Sequence, residues 1–181
     1  LKQKYGLKII GPDYEKTKIP GIDETVRDGD EIEVAGRTAR VIWTPGHTAG
    51  HVCYAFEEDH VAFTADTLFA LGCGRLFEGT PADMLGSMKK LMELDVDTAI
   101  YCGHEYTLSN AKFALSVDPT NSALKERAAE IEALRAQLAA LRAEVGGMAA
   151  ALIAAGFRPP EAAPAAMPPR PEAAPAEAGQ P

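Results

Sequence analysis

Long apolar runs, basic clusters and paired cysteines are all missing from this 181-residue sequence, and each absence removes a class of function. No uninterrupted apolar stretch approaches the ~20 residues that a membrane span needs, so no membrane partner is expected. The opening Leu1-Lys2-Gln3-Lys4-Tyr5 lacks signal-peptide architecture and an initiator Met, and reads as the inside of a longer protein. Lys and Arg number 18 against 26 Asp and Glu, a net charge of −8. The densest basic spot is only Lys2, Lys4 and Lys8, a poor basis for gripping a nucleic-acid backbone. Cys53, Cys73 and Cys102 form no C-x-x-C and no even-numbered framework, which points to reduced thiols in a cytoplasmic protein. Cys53 and Cys102 read as small buried hydrophobes, while Cys73 lies in a Gly-rich loop. Neither G-x-S-x-G nor a Ser-His-Asp arrangement occurs, and no internal repeat is visible.

What is present is ordinary globular material: 46% apolar and 24% charged residues, enough for one core with an appendage. Residues 1–120 alternate between strand and helix patterns. Lys8-Ile9-Ile10 is a short strand candidate, and the turn-rich stretch from there to Gly29 reads as loop. Glu31–Val34 and Thr38–Trp43 flank Ala35-Gly36 as a hairpin. Val52, Tyr54 and Phe56 alternate, as do Val61 and Phe63, each set fitting a strand with one face buried. Thr80-Pro81-Ala82-Asp83 carries the signature of a capped helix start. That helix should place Met84, Leu85, Met88, Leu91 and Met92 on one packed face. Thr98–Cys102 is expected to be a buried strand, with a helix near Ser109–Leu115.

The pattern changes after Asn121. Ile131, Leu134, Leu138, Leu141, Val145, Met148 and Leu152 recur at alternating spacings of 3 and 4, about three heptads. Gly146-Gly147 should interrupt such a helix. The expected organisation is a globular domain over 1–122, an amphipathic, heptad-like helix over 123–157, and a Pro/Ala-rich disordered tail over 158–181.

Histidine is scarce, with four in the chain: His47, His51, His60 and His104. Pro45 and Gly46 end the strand at Trp43 and can hold His47 at a sheet rim. Asp66 follows the apolar strand Val61-Ala62-Phe63-Thr64, and His104 follows Ala99–Cys102 through Gly103. A carboxylate leaving a buried strand is costly unless paired or bound to metal. Imidazole and carboxylate together suit Zn, Fe or Mn. By spacing alone the signal is modest, since a histidine at a strand end is more often an ordinary surface residue.

Four strings sharpen it: TPGHTAGH at 44–51, TADTLF at 64–69, GCGRLFEGT at 72–80 and YCGHEYT at 101–107. In this order they resemble the hydroxyacylglutathione hydrolases (glyoxalase II) of the metallo-β-lactamase superfamily, over roughly residues 1–137. The first string indicates the superfamily; the third and fourth are specific to the glutathione-thioester branch. The resemblance implies an α+β fold of the αββα sandwich type, incomplete at its N-terminus, followed by the C-terminal helix and tail. It implies hydrolysis of S-lactoylglutathione to lactate and glutathione, with two divalent metal ions, zinc first and iron or manganese as alternatives. His47, Asp66 and His104 would be both metal ligands and, through the metals, the catalytic residues, with Asp66 bridging. Arg75, Phe77 and Tyr106 would contact the substrate. His51 would support the site from its strand, and His60 would lie in a surface turn.

The sequence departs from the family pattern in places. The T-H-x-H-x-D-H string is absent, leaving each metal two protein ligands, one of them shared, where catalytic sites usually have three. Weak metal binding and little turnover are therefore expected of this chain. Ala65 stands where the family usually has Gly, a minor change if the backbone there needs no positive φ. Phe77 replaces a frequent Tyr, and the family's C-terminal segment is not recognisable after Gln137. Two alternatives stay open. One is an inactive scaffold that self-associates through residues 123–152. The other is a different hydrolase of this fold, or a persulfide dioxygenase using one iron.

Overall fold

The computed structural model describes residues 1–157; the tail expected at 158–181 lies outside them. The chain divides into two compact units, the first Leu1–Leu134 and the second beginning at Arg135. The first is built on a five-stranded sheet of order β3-β4-β5-β6-β9, comprising β3 (Glu31–Val34), β4 (Arg37–Trp43), β5 (Val52–Phe56), β6 (Val61–Ala65) and β9 (Ala99–Cys102). The first four run antiparallel, and β9 joins β6 in parallel. The hairpin between β3 and β4 forms as its turn chemistry predicts, with Ala35 at φ 53° and Gly36 at φ 77°.

Helix α2 (Pro81–Leu91) covers one face of this sheet. Its start carries the complete reciprocal cap: Thr80 accepts from the Asp83 amide, and the Asp83 carboxylate accepts from the Thr80 amide at 2.8 Å. Met84, Ser87 and Leu91 are its buried side chains. Leu91 joins Ile42, Cys53, Ala55 and Ala62 in the core, with Met88, Leu68 and Leu94 packed beside them. Leu85 and Met92, expected on the same face, are instead exposed. The buried side of this helix is a narrow stripe at positions 84, 87, 88 and 91, a tighter spacing than the apolar positions suggested.

Other expectations also need correction. The first strand is β1 (Ile10–Pro12), two residues later than the apolar run, and it pairs in parallel with β2 (Glu24–Val26), within the stretch read as loop. Each has only three residues, too short to show alternation, and the Asp23 carboxylate accepting from the Ile9 amide at 2.8 Å fixes their approach. Strand β9 is exposed at all four residues, not buried. It is an edge strand, and a hydrophobic run reports what a strand could bury rather than what covers it. On the sheet face away from α2, Tyr54, Phe63 and Tyr101 lie in register across β5, β6 and β9, with Phe63 and Tyr101 stacked at 5.3 Å.

Helix α3 spans Thr107–Val117, and α4 runs unbroken over Ser122–Ala154. Gly146-Gly147 does not interrupt α4, because a glycine inside a helix costs only about 1 kcal/mol. Ile131 is its one buried residue. Beyond it Leu138, Leu141, Val145, Met148 and Leu152 are all exposed. Length and composition alone would also allow α4 to cross a membrane, with a mean hydropathy of 1.2 over its most apolar window. The sequence reading missed this because the large apolar residues that supply that value are interspersed with alanines, glycines and the charged Arg142 and Glu144.

Strand β6 ends in a bulge where Ala65, pairing with Cys102, adopts φ 41°. The substitution of Ala for the family's usual Gly is therefore not minor, since an L-residue there is strained by about 1–2 kcal/mol. Ala65→Gly is expected to raise stability by about 0.5–1 kcal/mol after the added unfolded-state entropy is subtracted, measured as a higher midpoint in denaturant unfolding. A lower midpoint would show that Ala65 is not strained.

Candidate metal centre

The bulge at Ala65 turns Asp66 out of the sheet, and the end of β9 is tied to it: the Gly103 amide donates to the Ala65 carbonyl at 2.7 Å. His104 follows directly, with Nε2 3.3 Å from Asp66 Oδ1. On the other side His47 Nε2 lies 3.7 Å from Asp66 Oδ2. The three predicted ligands thus come together with Asp66 in the middle and one imidazole on each side. Among the described residues no three His, Cys, Asp or Glu side chains gather around a single point. The arrangement is two pairs sharing a carboxylate.

Each imidazole is held by residues of the motifs around it. His47 Nδ1 lies 2.8 Å from the Arg75 carbonyl. A carbonyl only accepts, so Nδ1 carries a proton and Nε2 is the nitrogen turned toward Asp66. Phe77 packs edge-on against the same ring at 5.0 Å. His104 is stacked on Tyr106 at 5.2 Å, and Phe69, nearly buried, meets both rings edge-on.

His47 Nε2 and the Asp66 carboxylate face each other at 3.7 Å with no hydrogen bond between them. Asp66 Oδ1 is buried and has no hydrogen-bond partner; His104 Nε2 is near it but not aligned to donate. Such groups are costly unless a cation lies between them. The residues present fit divalent metal in this respect.

The Gly-rich loop serves close approach. A Cβ on Gly74 would fall 1.9 Å from the Asp66 carbonyl oxygen and 3.1 Å from His47 Nδ1. A Cβ on Gly79 would fall 2.6 Å from the Gly46 Cα. The loop lies against the turn that carries His47, through Phe77 N–H to the His47 carbonyl (3.2 Å) and Gly79 N–H to the Gly46 carbonyl (3.1 Å). Arg75 projects its guanidinium over the Phe77 ring at 5.4 Å, in the exposed part of the site. Phe77 and Tyr106 are also substantially exposed, leaving cation, apolar ring and phenol open to a ligand.

His51 and His60 fall where they were expected. His60 is exposed at the end of the turn over Glu57–Asp59, with Nδ1 3.9 Å from Asp95. His51 lies behind Asp66, whose amide donates to His51 Nε2 at 3.4 Å, and burial pushes its pKa down, helped by His47 and partly offset by Asp66 and the Val52 backbone. Sequence reasoning missed Thr44 and Thr67, which are fully buried and hydrogen-bonded to each other at 2.9 Å. The only sequence signal was polar residues flanking strand ends, which is common in loops. Cys53 is buried in the core as expected, with its thiol also 3.3 Å from Thr44 Oγ1, whereas Cys102, expected to be buried, is exposed on the edge strand β9.

Against known proteins, residues 2–104 match the sequence profile described as the metallo-beta-lactamase superfamily. The chain belongs to that superfamily. Residues 105–144 match a second profile, the hydroxyacylglutathione hydrolase C-terminus, which carries the kinship past Gln137 and into α4. That corrects the expectation that the family's segment ends there. A protein named hydroxyacylglutathione hydrolase from Chelativorans sp. (strain BNC1) is 67% identical over 135 residues, covering 75% of this chain and 53% of that protein. The chain thus spans about half the length of the curated relatives it matches. Among solved structures, ETHE1 from Myxococcus xanthus aligns with a TM-score of 0.53 and 29% identity over 58% of this chain and 46% of that one. BLEG-1 B3 metallo-beta-lactamase aligns with a TM-score of 0.51 and 22% identity, over 57% of this chain and 60% of that one, and shows the fold alone. The α+β superfamily fold read from the motifs is the one observed.

Proposed function

We propose that this chain carries part of the dinuclear metal site and the glutathione-binding edge of a thioester hydrolase, the hydroxyacylglutathione hydrolase activity its relatives are named for. The observation that carries this reading is Asp66, a half-buried carboxylate set between two imidazoles, with one oxygen buried and unpartnered. His47 and Asp66 would hold one divalent ion, and His104 and Asp66 the other. Zinc suits this donor set, and iron and manganese accept the same donors. When bound, the metals would supply an activated water and polarise the thioester carbonyl.

The chain's own residues account for the rest. The Arg75 carbonyl and Phe77 hold the His47 ring, while Tyr106 and Phe69 hold that of His104. Arg75 offers a bidentate partner to a glutathione carboxylate, and Phe77 and Tyr106 offer apolar surface with one phenol. Water adds across the thioester, giving the carboxylic acid and glutathione thiol. The three cysteines, all free, support a reducing compartment, the cytoplasm.

The test compares this chain with a chimera joined to the uncovered portion of the Chelativorans relative. The chimera should hold about two zinc ions and hydrolyse S-lactoylglutathione, while this chain binds zinc weakly and turns over little. A metal-free, inactive chimera would sink the hydrolase reading. A second reading, an inactive scaffold, is favoured by the exposed stripe Leu138, Leu141, Val145, Met148 and Leu152 on α4. It requires a mass by light scattering that rises with concentration and returns to monomer on deletion of residues 123–181.

A further inference from the structure

A single file of hydrogen bonds runs behind the candidate site, and its direction is set from its far end. Cys53 Sγ lies 3.7 Å from the Thr64 carbonyl, which can only accept, so the thiol proton points there. With that proton committed, the 3.3 Å contact between Thr44 Oγ1 and Cys53 Sγ must be a donation by Thr44. Thr44 then has no proton left for Thr67, so in the 2.9 Å bond between them Thr67 donates. The Thr67 hydroxyl, its proton spent, must accept from His51 Nδ1 at 3.0 Å. The neutral ring of His51 therefore has no proton on Nε2, and that nitrogen receives the Asp66 amide at 3.4 Å. Thr44, Thr67, Thr64 and Cys53 are all fully buried, so no water competes for these bonds.

We propose that His51 is a positioning residue for Asp66: the Thr64 carbonyl, through Cys53, Thr44 and Thr67, fixes the His51 tautomer that anchors the Asp66 amide and thereby aims its carboxylate between His47 and His104. The inference rests on the metal reading of that carboxylate, but the anchoring itself is a property of the metal-free chain. Asp66 needs such an anchor because it follows the strained Ala65, where the backbone leaves the ladder of β6 and no strand partner holds the amide. Groups one step behind metal ligands typically change affinity by about 10–100-fold when lost.

Two substitutions separate the two ends of the ring. His51→Asn keeps a donor near Nδ1 and loses the acceptor at Nε2; His51→Gln keeps an acceptor near Nε2 and loses the donor. Thr67→Val removes the hydroxyl at constant shape, and Thr67→Ser restores it. The readouts on this chain are zinc affinity, by competition with a chromophoric chelator, and hydrogen exchange of the Asp66 amide in chelator. His51→Asn should weaken zinc about tenfold and speed Asp66 exchange about tenfold, with His51→Gln and Thr67→Ser within about threefold of the parent. Thr67→Val should behave like His51→Asn. Unchanged Asp66 exchange in both His51→Asn and Thr67→Val would overturn the proposal. Asp66→Ala is the separate control: if it leaves zinc affinity untouched, the metal reading fails, while the exchange measurement still judges the anchor.

Discussion

Gly74→Ala is expected to be the most damaging single-methyl change in the site, costing about 3 kcal/mol and eliminating zinc binding. The new Cβ would sit 1.9 Å from the Asp66 carbonyl oxygen, a backbone atom that cannot rotate away. It would also press on His47 Nδ1 at 3.1 Å, the atom bonded to the Arg75 carbonyl. Relief requires the Gly-rich loop to withdraw, and the Gly74 amide would then lose its bond to the Thr67 carbonyl at 3.2 Å. Overpacking typically costs about 1–3 kcal/mol, and a backbone collision falls at the upper end. The measurement is thermal unfolding in chelator, where the midpoint should fall by about 10 °C. Gly86→Ala is the control, because nothing lies within 4 Å of its would-be Cβ. Equal midpoints for the two variants would mean that the loop does not rest on Asp66.

Asp66→Asn should do the opposite to stability while abolishing the function. In the metal-free protein the carboxylate faces His47 Nε2 at 3.7 Å without a hydrogen bond and keeps a buried oxygen without a donor. An amide of the same shape carries no charge to desolvate and can donate to His47 Nε2, a change of about 1 kcal/mol. The midpoint in chelator should therefore rise by a few degrees. Added zinc raises the parent's midpoint in proportion to RT ln(1 + [Zn]/Kd) and should leave that of Asp66→Asn where it was. Function and stability thus pull apart at one residue, as expected of a site built for a cation. A variant that melts lower than the parent and still responds to zinc would show that Asp66 is an ordinary structural carboxylate.

Much of this was legible in the residues. The Ala35-Gly36 hairpin, the Thr80–Asp83 cap and the strand end at Trp43 follow from local chemistry that acts within a few residues, and each forms as read. The strings around His47, Asp66 and His104 carried the superfamily. Other features were not local and left no trace. Whether Thr98–Cys102 is buried depends on what lies over it, and a strand's own alternation is silent on that. Leu85 and Met92 look as apolar as Met84, yet only the packing of α2 on the rest of the fold decides which side chains it buries. Strands of three residues, such as those at Ile10 and Glu24, are shorter than the period needed to recognise them.

The sequence by itself determined the elements, the ligand types and the order in which they arrive, because caps, turns and periodicity are short-range and the motif strings are contiguous. Only the tertiary structure decided that Ala65 must take a positive φ, that Gly74 and Gly79 are there for backbone approach, and that Thr44, Cys53 and Thr67 line up behind Asp66. Those facts depend on atoms brought together from strands β4, β5 and β6 and from the loop that follows Cys73. Hydrogen-bond direction and steric room exist only once those segments are in contact.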